Sequence, residues 1–109
     1  MRHDSSNLAR PRHDQAVYSI SVAAELADMA PQNLRVYEAR GLLAPRRTAG
    51  GTRRYSDADV ARLRHIGELL DSGLNLVGVK RVLEMELELE RLRAELDEAR
   101  VRLGRHGDA

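Results

Sequence analysis

No cysteine occurs anywhere in the 109 residues, so neither a disulfide nor a thiolate metal site is available. Phenylalanine and tryptophan are also absent and tyrosine occurs three times, which argues against a large aromatic ligand cavity. Lysine occurs once, at Lys80. Nearly every positive charge is therefore an arginine, the side chain suited to bidentate phosphate and guanine contacts. There is no apolar run of membrane-spanning length and no signal-peptide core at the start, so a cytoplasmic chain is expected. A phosphate-binding glycine loop, a nucleophile beside a base and paired carboxylates in a pocket are all lacking, so no enzyme is expected. The histidines, His3, His13, His65 and His106, form no ligand pattern, and neither a metal nor a cofactor is expected.

The chain has room for one small domain and an extension. Its net charge of +1 hides an uneven distribution. Residues 1–65 hold eleven arginines and seven acids, whereas residues 66–109 hold seven basic and ten acidic residues. Arg46, Arg47, Arg53 and Arg54 cluster around a Gly-Gly turn with no acid between them, just after a segment carrying Arg35 and Arg40. Such a set points to a polyanion more than to a solvated loop.

Residues 1–16 are polar and aperiodic and read as a flexible N-terminal tail, with DNA contact by its three arginines as the alternative. Residues 17–20 are short and β-prone. Ser21 is the expected cap of a first helix over 22–28, with Val22, Leu26 and Met29 as its apolar stripe and Ala23, Ala24 and Ala27 allowing close packing. Pro31 fits the first position of a second helix, behind the poor cap Ala30, and Gly41 supplies its left-handed stop. Two short strands, 46–48 and 53–55, flank the turn Ala49-Gly50-Gly51-Thr52. Ser56 with Asp59 makes a capping box for a third helix, which keeps helical spacing through Val60, Leu63, Ile66 and Leu70 and ends at Gly73. Asn75 caps a fourth, with Leu76, Val79, Val82 and Leu83 on one side.

Val82, Met85, Leu89, Leu92, Leu96, Ala99 and Leu103 then alternate spacings of three and four, a heptad seam that needs a partner. A second copy of the chain is the simplest one. Flanking charges slightly favour a parallel pair, matching Arg81 with Glu86, Glu88 with Arg93 and Glu95 with Arg100, but they do not settle the orientation. The expected organisation is a tail (1–16), a winged helix-turn-helix unit (17–81), a dimerising coiled-coil helix (82–103) and a short tail (104–109): mainly α, with a small β-hairpin wing.

The segments SISVAAELADM, NLRVYEARGLL, PRRTAGGTRRYS and DADVARLRHIGEL, in this order before a coiled coil, resemble the MerR family of bacterial transcription regulators. ISVAAELA, the RRTAGGTRRYS wing and GLNLVGVKRVLE look like its heat-shock repressor branch. The resemblance implies an antiparallel homodimer on an inverted repeat in double-stranded DNA, repressing chaperone genes at a promoter used by RNA polymerase. It also implies the Hsp70 chaperone DnaK as co-repressor and a nucleoid-associated location in the cytoplasm. The chain departs from the pattern where many members carry two adjacent tyrosines, here Val36-Tyr37, and only GRHGDA follows Leu103. Lack of cysteine sets it apart from the metal- and redox-sensing branches.

Gln32 and Asn33, at the start of the second helix, are the expected base readers, since amide side chains pair bidentately with adenine. Arg35 reads guanine or holds phosphate, and the family pattern leans toward the backbone. Tyr37 matches a family phosphate contact, with simple packing as the alternative. Arg46, Arg47, Arg53 and Arg54 form the phosphate-gripping wing, and Arg53 matches the family's wing arginine most directly. Tyr55 is expected as a core anchor. Asn75 and Lys80 form a second, weaker phosphate grip or serve as a cap and a surface charge. Two other readings stay open: a regulator of another pathway with a protein effector, and a coiled-coil adaptor docking an acidic protein.

Overall fold

Extended backbone at Tyr18 ends one residue before the first helix, and that junction organises the domain. The computed structural model describes residues 12–107. Tyr18 and Tyr55 exchange backbone hydrogen bonds of 2.8 Å in both directions, an isolated antiparallel bridge. Ser19 then caps α1 (Ile20–Leu26), its hydroxyl accepting from the Val22 amide at 3.2 Å. The cap is therefore Ser19 rather than Ser21, and the helix starts two residues earlier than expected. Ile20 is its first residue, not part of a strand.

The apolar stripe of α1 also differs from expectation. Ala23, Ala24 and Ala27 are buried, whereas Val22 and Leu26 are 43% and 40% exposed. Ile20, Ala23, Ala24 and Ala27 occupy one helical face by their spacing of three and four. That face packs against α2 (Pro31–Ala39) and α3 (Asp57–Asp71). Close approach selects methyl groups there, so side-chain size points to the wrong face. Met29 does face α3, where a methyl at Gly67 would sit 3.9 Å from its Cε.

Asp28 turns the chain between α1 and α2 with φ 58°, and Pro31 opens α2 behind Ala30, which supplies no side-chain cap. Gly41 ends α2 at φ 77°, letting the Leu42 amide donate to the Tyr37 carbonyl at 2.9 Å. The hairpin is β1 (Arg46–Arg47) and β2 (Arg53–Arg54), antiparallel, with Arg46 opposite Arg54 and Arg47 opposite Arg53. Both strands are one residue shorter than expected, because Thr48 and Thr52 close the turn and Tyr55 pairs with Tyr18 instead. Ser56 and Asp59 form the capping box of α3 in full.

Asn75 Oδ1 accepts from the Gly78 amide at 2.8 Å and starts α4 (Leu76–Gly107), a continuous helix of 32 residues. It runs unbroken across residues 81 and 82. Val79 and Leu83 are buried in the core with Leu34, Tyr55, Leu63 and Ile66, and beyond them the helix leaves the domain. Among the described residues the architecture is thus mainly helical, with a two-stranded hairpin and a long C-terminal helix. None of the described helices is long and apolar enough to cross a membrane.

Candidate nucleic-acid interface

The first turns of α2 place Leu34 and Tyr37 in the core and leave Gln32, Asn33 and Arg35 on the exposed face. Three polar positions therefore line one helix entrance. Tyr37 is only 6% exposed, and burial raises its phenol above its ordinary pKa, as it does for Tyr55. Its ring packs inward, the alternative weighed for it. Tyr55 is fully buried with a hydroxyl that finds no hydrogen-bond partner, consistent with an anchor under the hairpin.

Near the other end of α2, Glu38 joins helix to wing. Its carboxylate accepts from Arg53 Nε at 2.5 Å and from Arg47 Nη2 at 3.0 Å. The Arg53 guanidinium is pushed above its usual pKa, chiefly by the hydrogen bond it donates to Glu38. Arg47 Nη1 also donates to the Gly51 carbonyl at 3.0 Å, bracing the turn from below. Glu38 was not singled out as a site residue from sequence. It stood in the NLRVYEARGLL motif as a pattern position, with no signal that two wing arginines would close on it.

Pairing across the hairpin splits the four arginines into two sets, because successive side chains of a strand point to opposite faces. Arg47 and Arg53 reach α2 through Glu38. Arg46 and Arg54 lie on the other face and, with Arg12, Asp14, Gln15, Ala16 and Thr48, line an open hollow of about 380 Å³, which Arg47 also borders. Arg54 Nη1 makes only a long bond of 3.3 Å to the neighbouring Arg53 carbonyl.

Asn75 and Lys80 sit elsewhere. The Asn75 carbonyl oxygen is used as the α4 cap. Lys80 lies over the C-terminal end of α2, its Nζ 3.2 Å from where a methyl at Gly41 would stand. A cation there suits the carbonyl end of that helix. Gln32 and Asn33 are at the opposite end, roughly two helical turns away.

Where α4 departs from the domain, His65 of α3 bonds both carboxylate oxygens of Glu86 at 2.9 Å, and its other ring nitrogen lies 3.6 Å from Glu68. These acids raise the His65 pKa above its ordinary value, Glu86 most. Past this contact Met85, Leu89, Leu92, Leu96 and Leu103 form an exposed apolar stripe, with Leu92 and Leu96 about half exposed at 48% and 49%. Val82 and the small Ala99 on the same stripe are partly buried. Among the described residues no group of three acids or histidines is placed to hold a metal.

Two short helices, the second exposing amide and arginine side chains, followed by a hairpin locked to that second helix, define a winged helix-turn-helix protein. Residues 18–86 match the MerR HTH family of regulatory proteins. A Streptomyces coelicolor protein named "Putative heat shock protein HspR" is 49% identical over 82 residues, covering 74% of this chain and 54% of that protein. The Bacillus cereus transcriptional regulator GlnR is 37% identical over 75 residues, covering 69% of this chain and 58% of its own length. The chain thus spans little more than half the length of these relatives. Among solved structures, HiNmlR, a MerR-family regulator lacking the sensor domain and bound to promoter DNA, superposes with TM-score 0.61 at 29% identity. It covers 76% of this chain and 67% of that one. MtaN, the N-terminal part of a Bacillus subtilis multidrug transporter activator, gives TM-score 0.58 at 26% identity, with 82% and 96% covered. The chain belongs to the MerR HTH family of regulatory proteins.

Proposed function

We propose that this regulator binds an inverted repeat in double-stranded DNA as a homodimer and represses heat-shock or chaperone genes. The observation that carries the DNA reading is the Glu38 brace. It holds an arginine-rich hairpin beside a helix whose entrance exposes Gln32, Asn33 and Arg35. Gln32 and Asn33 read base edges in the major groove, and Arg35 holds the backbone beside them. Arg46, Arg47, Arg53 and Arg54 contact phosphates; Arg53 spends only Nε on Glu38, leaving its two terminal nitrogens for an anion. Lys80, and the amide nitrogen of Asn75, add a weaker grip at the far end of α2. Tyr37 contributes by packing under the recognition helix and at most through its edge.

The second copy follows from the seam. Met85, Leu89, Leu92, Leu96 and Leu103 are exposed along one stripe, with Val82 and Ala99 partly buried on it, and burying such a stripe drives helix pairing. An antiparallel pair is the arrangement the family resemblance implies. The heat-shock assignment rests on the Streptomyces relative, and DnaK as co-repressor belongs to that same reading. GlnR favours a second reading, in which the same DNA-binding dimer serves another pathway.

Capture of sheared genomic DNA by the purified protein, followed by sequencing, separates these. An inverted repeat upstream of a chaperone operon is the expected result. A repeat elsewhere reassigns the pathway, and no enrichment with or without DnaK overturns the DNA reading.

A further inference from the structure

The wing has a second basic face, presented by Arg46 and Arg54, which shares only Arg47 with the Glu38 brace. Arg46 and Arg54 point away from α2, and a turn formed by residues 12–15 stands opposite them. That turn is fixed in place. The Arg12 amide donates to Gln15 Oε1 at 3.1 Å, and the Gln15 amide to the Arg12 carbonyl at 2.9 Å. The Ala58 amide, in the first turn of α3, donates to the His13 carbonyl at 2.8 Å, while the Val17 and Tyr18 amides both donate to the Tyr55 carbonyl. Residues 12–16, expected as tail, are thus tied at both ends to the folded domain.

The result is a hollow lined by Arg12, Arg46 and Arg54, with the Glu38-paired Arg47 also in its lining and Asp14 as the only carboxylate there. None of these three arginines forms an ion pair among the described residues, whereas Arg47 and Arg53 both do. Three guanidiniums gathered around one opening repel one another unless an anion sits among them. Their planar forks match the oxygens of a phosphate.

We infer that the hollow between residues 12–16 and the outer face of the hairpin, formed by Arg12, Arg46 and Arg54, binds a phosphodiester of DNA flanking the operator. This rests on the DNA-binding reading above. Because the hollow lies on the side of the hairpin away from α2, the phosphate it takes belongs to DNA beyond the stretch α2 covers. The turn thus lengthens the bound site without adding base readout.

The test uses the full chain and two duplexes. One ends at the limits of the repeat; the other carries about one extra helical turn of arbitrary sequence on each side. The native protein should bind the longer duplex more tightly, by roughly 5-fold. Arg12→Gln should abolish that advantage and lower the log–log salt slope on the longer duplex by about 0.9 per bound chain. Arg54→Gln should do the same, and unchanged far-UV circular dichroism shows that either variant folds. An advantage that survives both substitutions, or no advantage at all, overturns the inference. Failure of the native protein on both duplexes sinks the DNA-binding reading itself, a separable outcome. Inorganic phosphate, titrated alone at millimolar concentration and followed by arginine side-chain NMR, distinguishes the sources. Saturable phosphate binding to Arg12 and Arg54 that leaves the flank advantage unchanged would assign the hollow to a free anion and contradict a DNA phosphodiester.

Discussion

Arg53 Nε donates to Glu38 Oε1 at 2.5 Å, so the acid on α2 is the anchor of the wing. The pair ties α2 to the hairpin, the two surfaces to which the proposed function assigns DNA contact. Glu38 has a half-buried side chain, 21% exposed, and it also takes Arg47, so one carboxylate positions two guanidiniums.

Glu38→Ala should therefore loosen the wing while releasing two positive charges. Stability should fall by about 1 kcal/mol, the scale of a partly exposed ion pair, read by chemical denaturation. Binding to arbitrary duplex should persist, while preference for the operator over arbitrary DNA falls several-fold in competition anisotropy. Preserved preference would show that the wing needs no brace.

Arg53→Ala and Asn33→Ala should separate grip from readout. The first weakens binding to all sequences alike and lowers the salt slope, because a phosphate contact carries no sequence information. The second changes base preference in a selection experiment, at about 1–3 kcal/mol per lost bidentate pair. Interchanged outcomes would reverse the assigned roles.

Leu92→Glu or Leu96→Glu should yield a folded monomer with DNA affinity lowered at least 100-fold, since a single domain covers too little DNA for tight binding. Sedimentation velocity reports the mass, and anisotropy the affinity. Tight operator binding by a demonstrated monomer would contradict the role given to the seam.

Stability should also carry a small pH dependence from His65. Its pKa in the fold is raised, first by the hydrogen bond to Glu86 and further by Glu68, so the protonated ring is favoured in the native state. The contribution is complete below the unfolded histidine value of about 6.5 and is lost as pH rises through the higher folded value. His65 is more than a third exposed, so solvent screening limits the effect to about 0.5 kcal/mol. Denaturation midpoints measured from pH 5.5 to 8.5 should fall slightly for the native chain and flatten in His65→Gln. An equal slope in both would remove His65 as the source.

Local chemistry was the legible part of this chain. Ser56 with Asp59, Asn75 before α4, Gly41 after α2 and Gly73 at φ 107° after α3 each follow from hydrogen-bonding or backbone rules confined to a few residues. The long C-terminal helix was legible because its apolar period repeats over several turns. The burial of α1 was not: Val22 and Leu26 outrank alanine in hydrophobicity, yet the approach of α2 and α3 admits only the alanine face. Glu38 illustrates the same limit at the candidate site. Its partners lie nine and fifteen residues away, and no local rule predicts which acid a wing arginine will meet. The turn at residues 12–15 escaped for a related reason, since its polar composition reads as tail until the Ala58 amide is seen to hold it.

The most direct test is the stoichiometry and affinity of the protein on its captured operator, compared with the same duplex after one half-site is scrambled. Two chains per intact duplex, and an affinity loss of at least 100-fold on scrambling, are predicted for a seam-joined dimer reading two halves. One chain per duplex, bound equally well to the intact and half-scrambled sites, would contradict the account at its centre.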